Sequence, residues 1–226
     1  MAKIYVINPS SRSDTGITDE LAASLSWIAG PSLPLIDCVT LADGPRGIVT
    51  ERDSAAAAPA VCRFIEAEAG KQEVEGFVVA CFSDPGVQSA RAFASKPVAG
   101  IGEAGFACAL ALGDLIGTIA VSAGTGGASR RQARGMGVSV RLAGHRGIGL
   151  DYGQVRDMSV MLPALKAAGR SLIEEEGAGV LLFAGAGLAR YVGPLQDELG
   201  VPVIDPVQAA AGVVVAQVMQ VLQSRR

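Results

Sequence analysis

Aromatic residues are scarce in this chain. One Trp, three Tyr and six Phe make up 4% of its 226 residues, so any core must be built from aliphatic and small side chains. Histidine is scarcer still, with His145 the single one. No Cys-x-x-Cys pair stands among the four cysteines, Cys38, Cys62, Cys81 and Cys108. A zinc site would have to gather ligands from scattered places, so no metal is expected. A reducing compartment would keep the four thiols unpaired. Basic charge is not in excess: 19 Lys and Arg stand against 22 Asp and Glu, with no basic stripe, which argues against a nucleic-acid partner. No apolar run approaches the about 20 residues that span a bilayer. "MAKIYVINPSS" lacks the apolar stretch of a secretion signal. The expectation is a cytoplasmic protein with no membrane partner. Phosphate-binding signatures are missing too. No Gly-Lys-Ser/Thr follows a glycine loop, and "GAGLA" (185–189) lacks the G-x-G-x-x-G spacing.

What is present is small and apolar. Half the residues are hydrophobic, and 29 are glycine. Short apolar runs alternate with longer amphipathic stretches. "KIYVINP" (3–9), "LPLIDCVTL" (33–41), "GFVVACF" (76–82), "PVAGI" (97–101), "GTIAVSAG" (117–124), "VSVRLAGHRGIGL" (138–150), "GVLLFAG" (179–185) and "PVIDP" (202–206) read as strands, the sixth running on into a loop. The segments between them, and the terminal "VQAAAGVVVAQVMQVLQ", read as helices. Thr18 is expected to cap the first helix, with Leu21, Leu25 and Ile28 on its apolar face. Pro59 is expected to start or kink the second. Strands that are apolar throughout and joined by helices imply α/β architecture, with parallel sheets flanked by helices on both faces.

The chain also repeats itself. "EGFVVACFSDPG" (75–86) and "AGVLLFAGAGLA" (178–189) share a shape, with Gly185 standing where the first stretch has Cys81, 185 − 81 = 104 residues earlier. "PVAGIGEAG" and "PVIDPVQAA" begin 202 − 97 = 105 residues apart. Asn8 and Ser122 pair less tightly, at 122 − 8 = 114. The reading is two pseudo-symmetric lobes, 1–97 plus 205–226 and 98–204. The active site is expected in an interlobe cleft. The Ala/Val-rich terminal helix can bury on its own lobe or on a second copy, which leaves a homo-oligomer open.

In parallel sheets, ligands collect at the carboxyl ends of strands. Four such ends carry small residues: "INPSSRS" (7–13), "ACFSDPG" (80–86), "VSAGTGG" (121–127) and "FAGAGLA" (183–189). Cys81 enters a Ser-Asp-Pro-Gly turn ahead of a helix, where a thiol pKa can be lowered. Position alone leaves both an acid–base thiol and a packing cysteine open. His145, in a glycine-rich stretch, is expected in a surface loop.

"INPSS", "ACFSDPGVQSAR", "KPVAGIGEAGFACALALG", "GAGVLLFAGAGLA" and "LGVPVIDPVQAA" resemble the hydantoin and allantoin racemase branch of the aspartate/glutamate racemase superfamily. The resemblance runs from Ile7 to Ala211. It implies an interlobe site, no cofactor, a small carboxylate or hydantoin-like substrate, and two cysteines that flank the reacting carbon. Cys81 would be the first of them. It further implies substrate contacts at Asn8, Pro9, Ser83, Asp84, Ser122, Ala123, Gly185, Ala186 and Gly187. The departure is at the second thiol, whose place Gly185 takes, and Tyr191 is the nearest titratable side chain expected in its stead. Ser10 and Ser83 also replace the usual Asn and Gly. A single thiol suits a one-sided reaction as well, such as decarboxylation by enzymes like the superfamily's arylmalonate decarboxylases or isomerisation of a dicarboxylic acid. A cleft that binds without catalysis is a third reading.

Overall fold

The computed structural model describes residues 2–13 and 15–224, with side chains described up to residue 221. It divides into two compact units. The first ends at Ile101 and resumes at Val207, and the second is Gly102–Pro206.

In the first unit, β1 (Lys3–Asn8), β2 (Leu35–Thr40), β3 (Val74–Val79) and β4 (Val98–Gly100) form one parallel sheet of order β2-β1-β3-β4. Ile4, Tyr5, Val6 and Ile7 are buried in succession. A run without alternation means that both faces of β1 are covered. Helices α1 (Ile17–Ser24), α2 (Glu51–Glu68) and α3 (Val87–Arg91) connect the strands.

Thr18 lies inside α1, and the capping position belongs to Gly16. The Thr18 hydroxyl is instead hydrogen-bonded to that of Thr40, 2.5 Å away. α1 ends at Ser24, so of the three residues expected on its apolar face only Leu21 lies in the helix; Leu25 and Ile28 are buried in the turn that follows it. α2 starts at a reciprocal capping box between Thr50 and Asp53. Pro59 is therefore interior to that helix and does not start it.

The second unit repeats the plan. β5 (Ile116–Ala120), β6 (Leu142–Gly147), β7 (Val180–Phe183) and β8 (Val203–Ile204) form a parallel sheet of order β6-β5-β7-β8. Helices α4 (Ile101–Leu110), α5 (Gly126–Gly135), α6 (Met158–Glu176) and α7 (Val192–Leu199) accompany it. The final helix, α8 (Pro206–Ser224), buries Val207, Ala210, Ala211, Val214 and Val218. That spacing is one helical stripe. The Gln208 amide of α8 donates to the Ser24 carbonyl at the end of α1.

Equivalent backbone hydrogen bonds set the internal register. Ala80 N–H donates to the Ile7 carbonyl at 2.8 Å, and Ala184 N–H donates to the Ile119 carbonyl at 2.7 Å. Ala80 thus matches Ala184, an offset of 184 − 80 = 104, while Ile7 matches Ile119, an offset of 119 − 7 = 112. Cys81 and Gly185 occupy the same place in the two sheets. The sequence pairing of Asn8 with Ser122 is corrected by two residues: Asn8 corresponds to Ala120, and Ser10 to Ser122.

Candidate active site

The first group of expected site residues gathers at the carboxyl ends of β1 and β3. Asn8 is 5% exposed, and its amide is committed to its own turn. Nδ2 donates to Thr40 Oγ1 at 3.1 Å, and Oδ1 accepts from the Ser10 N–H at 3.2 Å and the Ser10 hydroxyl at 2.9 Å. This is a side-chain-stabilised turn, and it shapes the 8–11 loop around the buried Pro9.

β3 stops at Val79, so Cys81 stands two residues into the following turn. Its residue surface is partly exposed. The sulfur lies 3.4 Å from Ser83 Oγ. Burial pushes the thiol pKa above its ordinary value. The Ser83 hydroxyl and N–H pull the other way, and the Asp84 carboxylate adds to the rise. The sequence suggested a thiol lowered by a helix N-terminus. The following helix, α3, has only five residues, a short dipole against the desolvation of a sulfur, and desolvation wins.

Asp84 N–H donates to the Cys81 carbonyl at 2.9 Å, which closes the turn. Asp84 adopts a left-handed backbone with φ 50, which Asp tolerates better than most residues. Its side chain lies flat on Gly100. A Cβ at Gly100 would fall 2.2 Å from Asp84 Cγ, so only glycine fits there.

The second group gathers at the ends of β5 and β7. Ser122 is partly buried and Ala123 exposed. Thr125, at the start of α5, donates its hydroxyl to the Ser122 carbonyl at 2.9 Å. Gly147 closes the loop from the other side, since a Cβ there would meet Ser122 O at 2.4 Å and Ala123 Cα at 2.7 Å. Gly147→Ala is expected to push the 122–123 backbone outward and lower stability by about 1–3 kcal/mol. A lowered urea midpoint would show this, and an unchanged midpoint would refute it.

His145 is not in a surface loop, as the sequence suggested. It lies in β6, partly buried, under this same loop. Nδ1 is 2.9 Å from Thr118 Oγ1 and 3.3 Å from Ser129 Oγ, and Nε2 is 3.3 Å from Thr125 Oγ1. Thr125 Oγ1 also donates to the Ser122 carbonyl at 2.9 Å and Thr118 Oγ1 to the Gly144 carbonyl at 3.3 Å, so each ring nitrogen faces a hydroxyl that has a backbone partner as well. Burial lowers the His145 pKa to about 4, helped by Arg130 and Arg146. Above about pH 6.5 the ring is neutral in both the folded and unfolded chain and makes no contribution to pH dependence. Between 6.5 and 4 only the unfolded chain takes up the proton, so stability falls with falling pH. The expected loss is about 2 kcal/mol after allowance for the ring's partial exposure. It is measured as the pH slope of urea unfolding, which His145→Gln should flatten over that window.

Gly185, Ala186 and Gly187 form the turn after β7, with Gly187 at φ 86. No backbone hydrogen bond engages their N–H groups among the described residues. Tyr191, expected near this turn as an auxiliary group, is fully buried in the unit's core. Its hydroxyl donates to the Val155 carbonyl at 2.6 Å. The tyrosine that does reach the turn is Tyr152, which the sequence reading missed. A Cβ built on Gly185 would lie 3.7 Å from Tyr152 Oη and meet no other described atom within 4 Å, chain neighbours aside. The signal available was "DYGQ", a capping box that opens a short turn. Asp151 Oδ1 accepts from the Gly153 N–H at 2.7 Å, and Gln154 Oε1 accepts from the Asp151 N–H at 3.2 Å.

Among the described residues, no cluster of three or more His, Cys, Asp or Glu is placed to hold a metal ion. No described helix is long and apolar enough to cross a membrane. An apolar recess of about 300 Å³, lined by Ala22, Leu25, Ile28, Leu33, Pro34 and Leu35, lies at the start of β2. That is the opposite end of the sheet from Cys81.

Two parallel sheets of one strand order, each ending in matched small-residue turns, define an α/β protein with a duplicated plan. Residues 4–214 match the Asp/Glu/Hydantoin racemase family, and the chain belongs to that family. It is 32% identical over 212 residues to a hydantoin racemase of Pseudomonas sp. (strain NS671), covering 92% of this chain and 82% of that one. It is similar in structure to an allantoin racemase from Klebsiella pneumoniae, with TM-score 0.84 and 28% identity over 99% of this chain and 88% of the other. A likeness of fold extends to an arylmalonate decarboxylase carrying Gly-to-Cys and Cys-to-Ser replacements. There the TM-score is 0.70 and the identity 17%, over 96% and 93% of the two chains.

Proposed function

We propose that this protein is a cofactor-independent isomerase of small carbon acids, of the hydantoin or amino-acid-like type, and that Cys81 is its acid–base thiol. The observation that carries the reading is the placement of Cys81. It follows a buried parallel strand, its sulfur lies 3.4 Å from the Ser83 hydroxyl, and that hydroxyl and the Ser83 N–H pull the thiol pKa down against burial. Both contacts favour the thiolate that would remove a proton from carbon. The electron pair left behind delocalises into the adjacent carbonyl. Hydroxyl and N–H donors at the strand-end turns would hold the resulting oxyanion, a contribution often larger than the proton transfer itself. The hydantoin and allantoin racemases among its relatives favour a cyclic ureide as substrate.

A second reading is a lyase. One thiol, with glycine at the equivalent turn, is enough to protonate an enolate left by loss of carbon dioxide from an activated malonate.

One set of incubations in D₂O separates the two. Single enantiomers of 5-substituted hydantoins, allantoin, aspartate and glutamate are followed by polarimetry and mass spectrometry. Arylmalonates are followed by carbon dioxide release. Deuterium uptake with loss of rotation supports the isomerase. Carbon dioxide release without uptake on the chiral substrates supports the lyase. Neither signal on any of them sinks both readings.

A further inference from the structure

We propose that Tyr152 is a substrate-binding residue of the second unit, and that its hydroxyl donates to a carbonyl oxygen of a cyclic ureide held at the carboxyl ends of β5 and β7. The class of ligand rests on the proposed function. Every protein group involved belongs to Gly102–Pro206. In this sheet, of order β6-β5-β7-β8, the chain leaves β5 toward β6 on one side and then crosses back to β7 on the other. Such a reversal leaves a crevice between the carboxyl ends of the two strands, the place where parallel sheets collect ligands. Ser122 and Ala123 lie past the end of β5, and Gly185, Ala186 and Gly187 past the end of β7.

The segment after β6 is laid across that point. Ile148 N–H donates to the Ala120 carbonyl at 2.9 Å, and Leu150 N–H donates to the Val121 carbonyl at 3.1 Å. The chain therefore continues along the end of β5 after β6 has stopped. Gly149 between them is left-handed, at φ 71, a conformation that glycine adopts without strain. The Asp151–Gln154 capping box then fixes the short helix on which Tyr152 sits. The buried Tyr191 anchors its far end by donating to the Val155 carbonyl at 2.6 Å. Tyr152 thus starts beside β5 and reaches the β7 side, where its Oη lies 3.7 Å from the position of a Cβ on Gly185.

The groups gathered there are donors. No other described atom comes within 4 Å of that Cβ position, chain neighbours aside, so within the second unit the space beside the hydroxyl is open. The N–H groups of Gly185, Ala186 and Gly187 have no backbone acceptor among the described residues. Gly187 is buried, where an N–H without an acceptor is costly. Its φ of 86 belongs to the kind of turn that aims successive N–H groups at one oxygen. A cyclic ureide offers flat carbonyl oxygens that accept from O–H and N–H alike. Tyr152 itself is partly exposed, as a group that meets a ligand must be.

The test measures binding, not turnover, on the full chain. The probe is 5,5-dimethylhydantoin, a cyclic ureide with no proton at the reacting carbon. Isothermal titration gives its Kd, and the amide signals of nitrogen-15-labelled protein locate it. Binding that shifts the Gly185, Ala186 and Gly187 amides is expected in the unmodified protein. Tyr152→Phe keeps the ring, and it is expected to weaken binding about tenfold with the urea midpoint unchanged. Gly185→Ala sets a methyl in the open space, at ordinary contact distance and on a backbone that is not left-handed. It is expected to weaken binding at least as much. A Tyr152→Phe Kd within twofold of that of the unmodified protein overturns the inference, and a lowered urea midpoint at unchanged Kd assigns the hydroxyl to the fold. Binding that leaves the three amides unshifted overturns it as well, as does no binding by the unmodified protein. The D₂O incubations judge the isomerase reading separately. Binding without exchange keeps this inference and sinks that reading, whereas exchange with an unchanged Kd in Tyr152→Phe sinks only this inference.

Discussion

Cys81→Ala is expected to stop deuterium uptake at the reacting carbon. The loss should be about 10²–10⁴-fold, the contribution of one positioned acid–base group. The substitution removes a sulfur and leaves the chain's architecture in place. The Asp84 N–H still donates to the Cys81 backbone carbonyl, and β3 still ends at Val79. Cys81→Ser separates basicity from shape, because it keeps a hydroxyl near Ser83 but far weaker acid–base power at neutral pH. Both variants should unfold at urea midpoints close to that of the unmodified chain. If Cys81→Ala exchanges deuterium at an undiminished rate, the thiol is not the acid–base group and the site assignment in the first unit fails.

The rate of proton removal should climb steeply with pH, by about tenfold per unit from pH 7 to 9. The sign follows from the cause of the shift. Burial raises the Cys81 thiol above its ordinary value, so near neutral pH the thiolate, the form that acts as base, is the minor species. Each unit of pH multiplies that fraction by ten until the thiol pKa is reached. A helix-lowered thiol of the kind first suggested by the sequence would give a plateau across the same range. The measurement is the pH profile of kcat/KM for exchange, corrected for uncatalysed exchange, and a flat profile between pH 7 and 9 would contradict the geometry around Sγ. Alkylation by iodoacetamide should follow the same slope. Cys38 is a useful contrast in the same titration, since burial and the Asp37 carboxylate push its thiol up to about 11.

Much of this protein was legible before its structure. Strand positions followed from unbroken apolar runs such as "IYVI" and "VLLF", whose length and lack of alternation have no good alternative in an α/β chain. The duplication followed from recurrence at 104 and 105 residues. Cys81 was conspicuous because it breaks the repeat.

Errors came where a side chain's surroundings are supplied by residues far away in sequence. His145 sits in a glycine-rich stretch that reads as a loop, yet Thr118, Thr125 and Ser129 wrap it into β6. Thr18 has the chemistry of a cap, but Gly16 takes the bend and Thr40 takes the hydroxyl.

The two tyrosines draw the line most clearly. By sequence distance Tyr191, six residues from Gly185, is the natural candidate to stand beside it, and nothing local singles out Tyr152, 185 − 152 = 33 residues away. The structure sets Tyr152, and not Tyr191, beside Gly185. The short helix at 189–191 turns Tyr191 into the core, and the capped turn at 152–154 brings the other hydroxyl over the glycine. What the sequence by itself determined was the α/β plan, its repetition, and the contrast between Cys81 and Gly185. Hydrophobic period and turn chemistry are local properties, carried by a few neighbouring residues. What only the tertiary structure decided was the direction in which the Cys81 thiol is shifted, the seat of His145, and which phenol stands at Gly185. Desolvation and contact depend on what surrounds an atom in space, and no neighbour along the chain records that.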